Sequence, residues 1–430
     1  MLDIKFVKEN REIIEQAIKN KCSKPVDISE LISVYDKRQD LKRKIDELNQ
    51  KKKIAADNRA IEDGIALKKE STILETELAD LEKKYLALMI ALPNIPSADT
   101  PIGKDDSENK VLREVGEKPK FDFKPKEHWE LGAELDLIET EKAGNISGPR
   151  FAYLKGDLAL MQFALIQFVM SLLTNEDVLE KIKNDAGLDI STKPFTAMIP
   201  PVFIKPAVLN RMARLEPREE RYHTEADDLY LIGSAEHTLG PIHMDEIIPE
   251  EKLPIRYVGY STSFRREAGA SGKDTRGILR MHQFDKVEME TFCSPENCYK
   301  EQDFLVAIQE HIMTALGLPY RIIICCTGDM GDPDHRHLDL ETWMPGQDKY
   351  RETHSADLMT TYQSRRLNTR YKKKDDKPDF VHMNDATAIA IGRTLIGIME
   401  NYQQADGSIK VPEVLQKYLG KSVIANEKKS

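Results

Sequence analysis

The chain has 430 residues, a formal net charge of -10, and 32% charged against 40% hydrophobic residues. That length is too great for one compact domain and suggests two or three. The acidic balance excludes a nucleic-acid-coating role spread over the whole surface, so any RNA contact must come from local basic patches, and no DNA partner is expected.

The opening MLDIKFVKENRE lacks the basic and apolar regions of a secretion signal. No later apolar run reaches the roughly 18–20 residues of a bilayer span, so no membrane association is expected. Residues 28–58 and 65–92 are rich in Lys, Glu, Leu, Ile and Ala, with no proline between Pro25 and Pro93. Leu74, Leu78, Leu81, Tyr85, Leu88 and Leu92 alternate four and three apart, the seam of a coiled coil, and Val34, Leu41, Ile45 and Leu48 give a shorter version. Gly64, near Asp57, Asn58 and Asp63, is expected to break the pattern, which predicts an antiparallel helical hairpin roughly 40 Å long. Between Arg38 and Lys53 stand seven basic and three acidic residues, including Lys42, Arg43, Lys44, Lys51, Lys52 and Lys53. They read either as a solvated face or as an arm that touches phosphates. Pro93, Pro96 and Pro101 then mark an extended linker.

Further along, lone His128 reads as packing, and a long apolar helix is expected from Leu158 to Leu173. A strand-like stretch follows, ending in Pro200, Pro201, Val202 and Phe203. Glu236, within DLYLIGSAEHTLGPIHMDE, could be an ion-paired strand residue. From Tyr260 to Glu290 two strands should flank a mobile basic loop. Between Phe264 and Arg280 it holds five basic and two acidic residues, among Gly269, Gly272, Lys273, Arg276 and Gly277. Arginine forks beside glycines suit a polyanion, although a solvated hairpin tip has the same composition. Phe284 alone would be a core aromatic.

Ile322–Cys326 and Leu338–Met344 read as strands, with Asp339 and Glu341 solvated or ion-paired. Val381–Tyr402 reads as a strand and tight turn feeding a helix whose first turn carries Gly392 and Arg393, a good place for an anion. The last ten residues should fray. The cysteines, Cys22, Cys293, Cys298, Cys325 and Cys326, are few and odd in number, and Cys293 and Cys298 have no second pair at ligand spacing. Reduced thiols in a cytoplasm fit this pattern, and no structural zinc is expected.

The order FRREAG…DTRG…HQFDKVE is similar to motif 2 of class II aminoacyl-tRNA synthetases, in the form found in seryl-tRNA synthetase. The resemblance extends over essentially the whole chain. HWELG and ISGPRFAYLKGDLALM resemble the entry to that family's catalytic domain, and Pro201-Val202-Phe203 resembles the end of motif 1 at its dimer interface. DLETWMPGQDKYRE resembles the run to its metal-binding acid, Val381–Tyr402 resembles motif 3, and ENYQQADGSIKVPEVLQKYLG resembles its C-terminal signature.

The resemblance implies an α+β fold: a class II antiparallel sheet flanked by helices, preceded by an N-terminal antiparallel two-helix coiled-coil arm. It places the tRNA-binding arm and linker in 1–105 and the catalytic domain in 106–430. It implies a cytoplasmic homodimer that activates L-serine with ATP and Mg²⁺ and charges tRNA(Ser) through the arm, with selenocysteine tRNA open as a second acceptor. By the same likeness Arg265 would hold the α-phosphate and the serine carboxylate, Glu267 would read the adenine amino group, and Phe284 would stack on the base. Glu352 and Ser355 would order Mg²⁺, Arg393 would take the γ-phosphate, Ser234 and Glu236 would grip serine, and Glu288 would take its ammonium. Thr387 would meet the serine hydroxyl.

The chain departs from the family wording at four places. Ser234 stands for threonine, and His237 for an apolar or amide residue. Residues 353–359 replace a Ser/Cys/Asn-rich run, and Asp385 stands for an asparagine that Asn384 would supply with a one-residue shift. A relative that loads a carrier protein, or a non-catalytic coiled-coil module, are the alternatives. The basic arm argues against the first, and joint retention of Arg265, Glu267, Phe284, Glu352 and Arg393 against the second.

Overall fold

The computed structural model describes residues 1–267, 276–374 and 376–425. Gly269, Gly272 and Lys273 of the basic loop, and the last five residues of the expected tail, lie outside the described residues. The chain divides into two compact units, Met1–Pro96 with Gly331–Pro333, and Ser97–Met330 with Asp334–Ser430.

The first unit holds α1 (Ile4–Glu9), α2 (Arg11–Asn20), α3 (Ile28–Asp57) and α4 (Ile61–Ile90). Asp27 caps α3 by accepting from the Glu30 amide at 3.0 Å. Leu31, Val34, Leu41, Ile45 and Leu48 of α3 are buried, and Leu74, Leu78, Leu81, Tyr85 and Leu88 of α4 are half-buried. Ion pairs of Lys42 with Glu82 (2.9 Å) and Lys84 with Glu30 (2.6 Å) cross the two helices. The chain reverses at Asn58–Ala60, where Arg59 adopts φ 57°, and not at Gly64, which sits inside α4. A single glycine costs a helix only about 1 kcal/mol, whereas a reversal needs a left-handed residue next to the C-cap. Arg43, Lys44, Lys51 and Lys53 remain exposed.

The second unit is organised on an eight-stranded sheet. Its strands are β1 (Lys110–Val115), β2 (Thr196–Met198), β3 (Ile255–Phe264), β4 (Gln283–Cys293), β5 (Tyr320–Ile324), β6 (Arg336–Met344), β7 (Lys349–Thr360) and β8 (His382–Ala390). The spatial order is β1-β5-β6-β7-β8-β4-β3-β2, antiparallel except where β2 runs parallel to β3. The helices that matter for the site are α5 (Gly156–Leu173), α6 (Pro206–Arg211), α7 (Glu236–Leu239), α8 (Cys298–Ala315) and α9 (Ile391–Asn401).

The alternation along β4 explains the sheet's two faces. Val287 and Met289 enter the main core with Ala356, Ala386 and Leu340 of neighbouring strands and Phe304, Leu305, Ile308 and Ile312 of α8. Lys286, Glu288 and Glu290, at the intervening positions, turn to the other face. One face is therefore a helix-covered hydrophobic core, and the opposite face carries charge. The helix α5 has mean hydropathy 1.6 and the length of a bilayer span, contrary to the expectation of no such run. It packs Leu158, Met161, Leu165, Val169 and Leu172 into the main core and leaves Leu160 and Phe163 exposed.

Candidate active site

The polar face of the sheet bounds a cavity of about 350 Å³ lined by Arg265, Glu267, Phe284, Glu352, Ser355, Thr387, Arg393 and Glu236. Residues from six separate stretches of sequence thus converge: β4, β7 and β8 carry Phe284, Glu352, Ser355 and Thr387, Arg265 and Glu267 follow β3, and Glu236 and Arg393 stand in the first turns of helices.

At one end lie the groups suited to a polyphosphate and a base. Arg393, in the first turn of α9, donates to the Glu352 carbonyl at 2.8 Å and pairs with its carboxylate at 3.1 Å. Partial desolvation at the cavity wall would raise the Glu352 pKa, but Arg393 overrides it and holds the carboxyl down at about 2, ionised at any working pH. Arg265 donates from Nε to the Gly233 carbonyl at 3.1 Å and lies 5.4 Å from the Phe284 ring centroid. The Glu267 carboxylate accepts from Arg280 at 2.8 Å. Ser355 and Thr387 share a hydroxyl hydrogen bond at 3.2 Å. An ionised carboxylate and a hydroxyl, both hard oxygen donors at the cavity wall, fit Mg²⁺ at Glu352 and Ser355.

Next to Glu236 lies a buried set of carboxylates, of which Glu236 alone lines the cavity; Ser234, Glu288 and Asp385 are buried beside it. Glu236, Glu288 and Asp385 each place an oxygen within 4.8 Å of the others. Ser234 donates its hydroxyl to Glu288 at 2.9 Å, and Lys286 pairs with the same carboxylate at 2.5 Å. Glu236 opens the short helix α7, not a strand, and pairs with Arg214 at 3.0 Å. Burial would raise its pKa, yet Arg214 and His237 together hold it well below the ordinary carboxylate range. Burial pushes His237 down to about 4, so the ring is neutral: Nδ1 accepts from the Gly233 amide at 3.1 Å and Nε2 lies 3.3 Å from Glu236. The unexpected histidine is thus a brace for the turn that presents Glu236.

Register also separates Asp385 from Asn384. Asp385 pairs with Asp357 on one side and Glu290 on the other, on the site face, while Asn384 points away and donates to Thr291 at 3.3 Å. Asp339 is buried and bonded to His337 at 2.9 Å, and Glu341 pairs with Arg321. His128 donates its backbone N–H to Glu400 at 3.1 Å and accepts from the Ile278 amide at 3.2 Å, a structural position. Sequence reasoning missed Arg214, Lys286, Glu290, Asp357 and His337. The Lys-x-Glu-x-Glu alternation of β4 was a visible signal for two of them; Arg214 left none.

Residues 1–96 match the seryl-tRNA synthetase N-terminal domain, and residues 219–402 match the tRNA synthetase class II core domain (G, H, P, S and T). A serine–tRNA ligase of Thermodesulfovibrio yellowstonii is 39% identical, covering 99% of this chain and 100% of the relative. One from Dehalococcoides mccartyi is 40% identical with the same coverage. The chain belongs to the seryl-tRNA synthetase family. The crystal structure of seryl-tRNA synthetase from Pyrococcus horikoshii complexed with ATP superposes with a TM-score of 0.87 at 32% identity, covering 99% of this chain and 100% of that one. Membership in the seryl-tRNA synthetase family accounts for the antiparallel sheet and for the helical hairpin together, since residues 219–402 hold six of the eight strands and residues 1–96 hold the hairpin.

Proposed function

We propose that this chain activates L-serine with ATP and transfers it to the 3′ end of tRNA(Ser). The observation that carries this reading is a cavity lined by arginines, a ring and an ionised carboxylate, and by Glu236, which lies against a buried set of carboxylates. Arg393 would hold the γ-phosphate and Arg265 the α-phosphate and the serine carboxylate, since guanidinium forks match paired anions. Phe284 offers a face to adenine and Glu267 an acceptor to its amino group. Mg²⁺, when bound at Glu352 and Ser355, neutralises phosphate charge.

Glu288 with Glu236 and Ser234 would fix the serine ammonium, leaving the side-chain hydroxyl toward Thr387 and Asp385. A serine carboxylate oxygen then attacks the α-phosphorus in line, the bond to the β-phosphate oxygen breaks, and pyrophosphate leaves. The protein contributes orientation and charge compensation, with no covalent enzyme intermediate. The terminal ribose hydroxyl of the tRNA next attacks the activated carbonyl, and AMP leaves.

The exposed lysines and Arg43 of the hairpin suit RNA phosphates, which supports tRNA as the acceptor. The edge position of β2, with Ile199 86% exposed beside it, supports a homodimer, and the free thiols suit a cytoplasm. ATP–pyrophosphate exchange with serine, threonine, alanine and glycine tests the reading. Exchange with serine alone, together with serylation of tRNA(Ser), is expected. Exchange without tRNA charging would move the reading to a carrier protein, and no exchange with any of the four would abolish it.

A further inference from the structure

Two residues along β7 and β8 from Ser355 and Thr387 lies a second row of side chains, of which the proposed function uses only Asp385. At one register across four adjacent strands stand His337 of β6, Asp357 of β7, Asp385 of β8 and Glu290 of β4. Glu290 is 0% exposed, and neither of its carboxylate oxygens has a hydrogen-bond partner. Arg214, three residues beyond α6, reaches over this row. Its Nε lies 3.0 Å from Glu236, and its Nη2 lies 3.9 Å from Asp385 and 3.9 Å from Asp334. Arg214 and Asp357 also line the cavity itself.

A pocket that measured its ligand by size alone would end in packed apolar groups. This one ends in a guanidinium shared among three carboxylates. We propose that Arg214 is a positioning residue that sets amino-acid specificity, by holding Glu236 toward the substrate ammonium and Asp385 toward the substrate side chain. The inference rests on the reading that this end of the cavity takes serine. A short side chain ending in a hydroxyl can hydrogen-bond to the charged floor. An apolar side chain of the same size covers that floor and gives it no partner, and a buried polar group without a partner is strongly penalised. Because Arg214 fixes both carboxylates at once, it links the grip on the ammonium to the choice of side chain.

The test uses full-length protein in ATP–pyrophosphate exchange, titrated separately in serine, alanine and ATP, with thermal melting in parallel. Arg214→Gln strands Glu236 as a buried charge and removes the guanidinium that positions Asp385. It is expected to raise the serine KM by about ten-fold or more and to narrow the preference for serine over alanine. The ATP KM should stay within about two-fold, because the groups at the nucleotide end do not touch Arg214. Combining Arg214→Gln with Asp385→Asn changes both sides of the contact, so the combined loss should be smaller than the product of the two single losses. Arg214→Lys keeps the buried charge without the fork, and serves if Arg214→Gln does not fold; a serine KM raised several-fold is expected there. An unchanged serine KM in Arg214→Lys or Arg214→Gln, an ATP KM rising in parallel, or a double variant whose loss is the product of the single losses overturns the proposal. Absence of serine-dependent exchange in the unaltered protein would instead defeat the functional reading beneath it.

Discussion

The two ends of the cavity solve opposite electrostatic problems. At the end proposed for the nucleotide, Glu352 and Arg393 remain open to water, with side chains 50% and 30% exposed. At the amino-acid end Glu288, Glu290 and Asp385 are buried, and Arg214 is only 17% exposed. An open site can wait for a hydrated polyanion with its own charges still solvated, so each residue there is replaceable without great harm to the fold. A closed site must balance its charges within the protein, so each residue there depends on its neighbours. Function at the first end should therefore separate from stability, and at the second it should not.

The largest effect should follow from Arg393→Ala. If Arg393 faces the γ-phosphate, its loss removes charge compensation at the leaving pyrophosphate. The exchange rate is then expected to fall by about 10²–10³-fold. The melting temperature should barely move, because the Glu352 carboxylate it leaves behind is half exposed and water can take over its solvation. A melting temperature that collapsed with the rate would erase the contrast between the two ends.

Phe284→Ala should be milder. The ring is half-buried at the cavity wall, within cation–π range of Arg265. Losing a stacking face costs about 0.5–1.5 kcal/mol, which corresponds to an ATP KM raised by roughly two- to ten-fold. The serine KM should hold. A change confined to serine would place this ring at the wrong end of the cavity.

The end proposed for the nucleotide was also the part whose convergence on one cavity was most legible in the sequence. Arg265, Glu267 and Phe284 sit within one β-hairpin, and Arg393 follows a strand directly at a helix start, so local patterning and the resemblance both point to them. The coiled-coil seam was equally plain, because a heptad repeat is a local property. Its turn was misplaced by a few residues, since Gly64 is a weaker interruption than the left-handed Arg59. The closed end was hard to read for the opposite reason. His337, Asp357, Asp385 and Glu290 become neighbours only through strand register, and Arg214 reaches them from a loop more than a hundred residues before β6. Charged residues on a strand look solvated until the covering elements are known. His237, which departed from the family wording, proved to brace a turn, a role set by its two ring nitrogens and invisible in its position along the chain.

The smallest effect, and the sharpest probe of the closed end, lies in the pH dependence of stability. Burial, and then the nearby carboxylates of Glu236 and Glu288, push the Glu290 pKa well above its ordinary value. The folded protein keeps this proton at pH values where the unfolded chain has already released it. The folded state thus binds more protons, and stability falls as pH rises from the ordinary glutamate range toward the elevated folded value. Glu290→Gln has nearly the same shape, cannot ionise, and removes this contribution. The variant should match the parent near pH 4 and exceed it increasingly toward pH 8, by on the order of 2 °C in melting temperature. Some slope should persist in the variant, because Asp385 is raised by burial and by Glu236 in the same way. Melting curves of both proteins across pH 4–8 check the sign: a difference that is constant with pH, or largest in acid, would mean that Glu290 is ionised in the folded chain and that a cation compensates it.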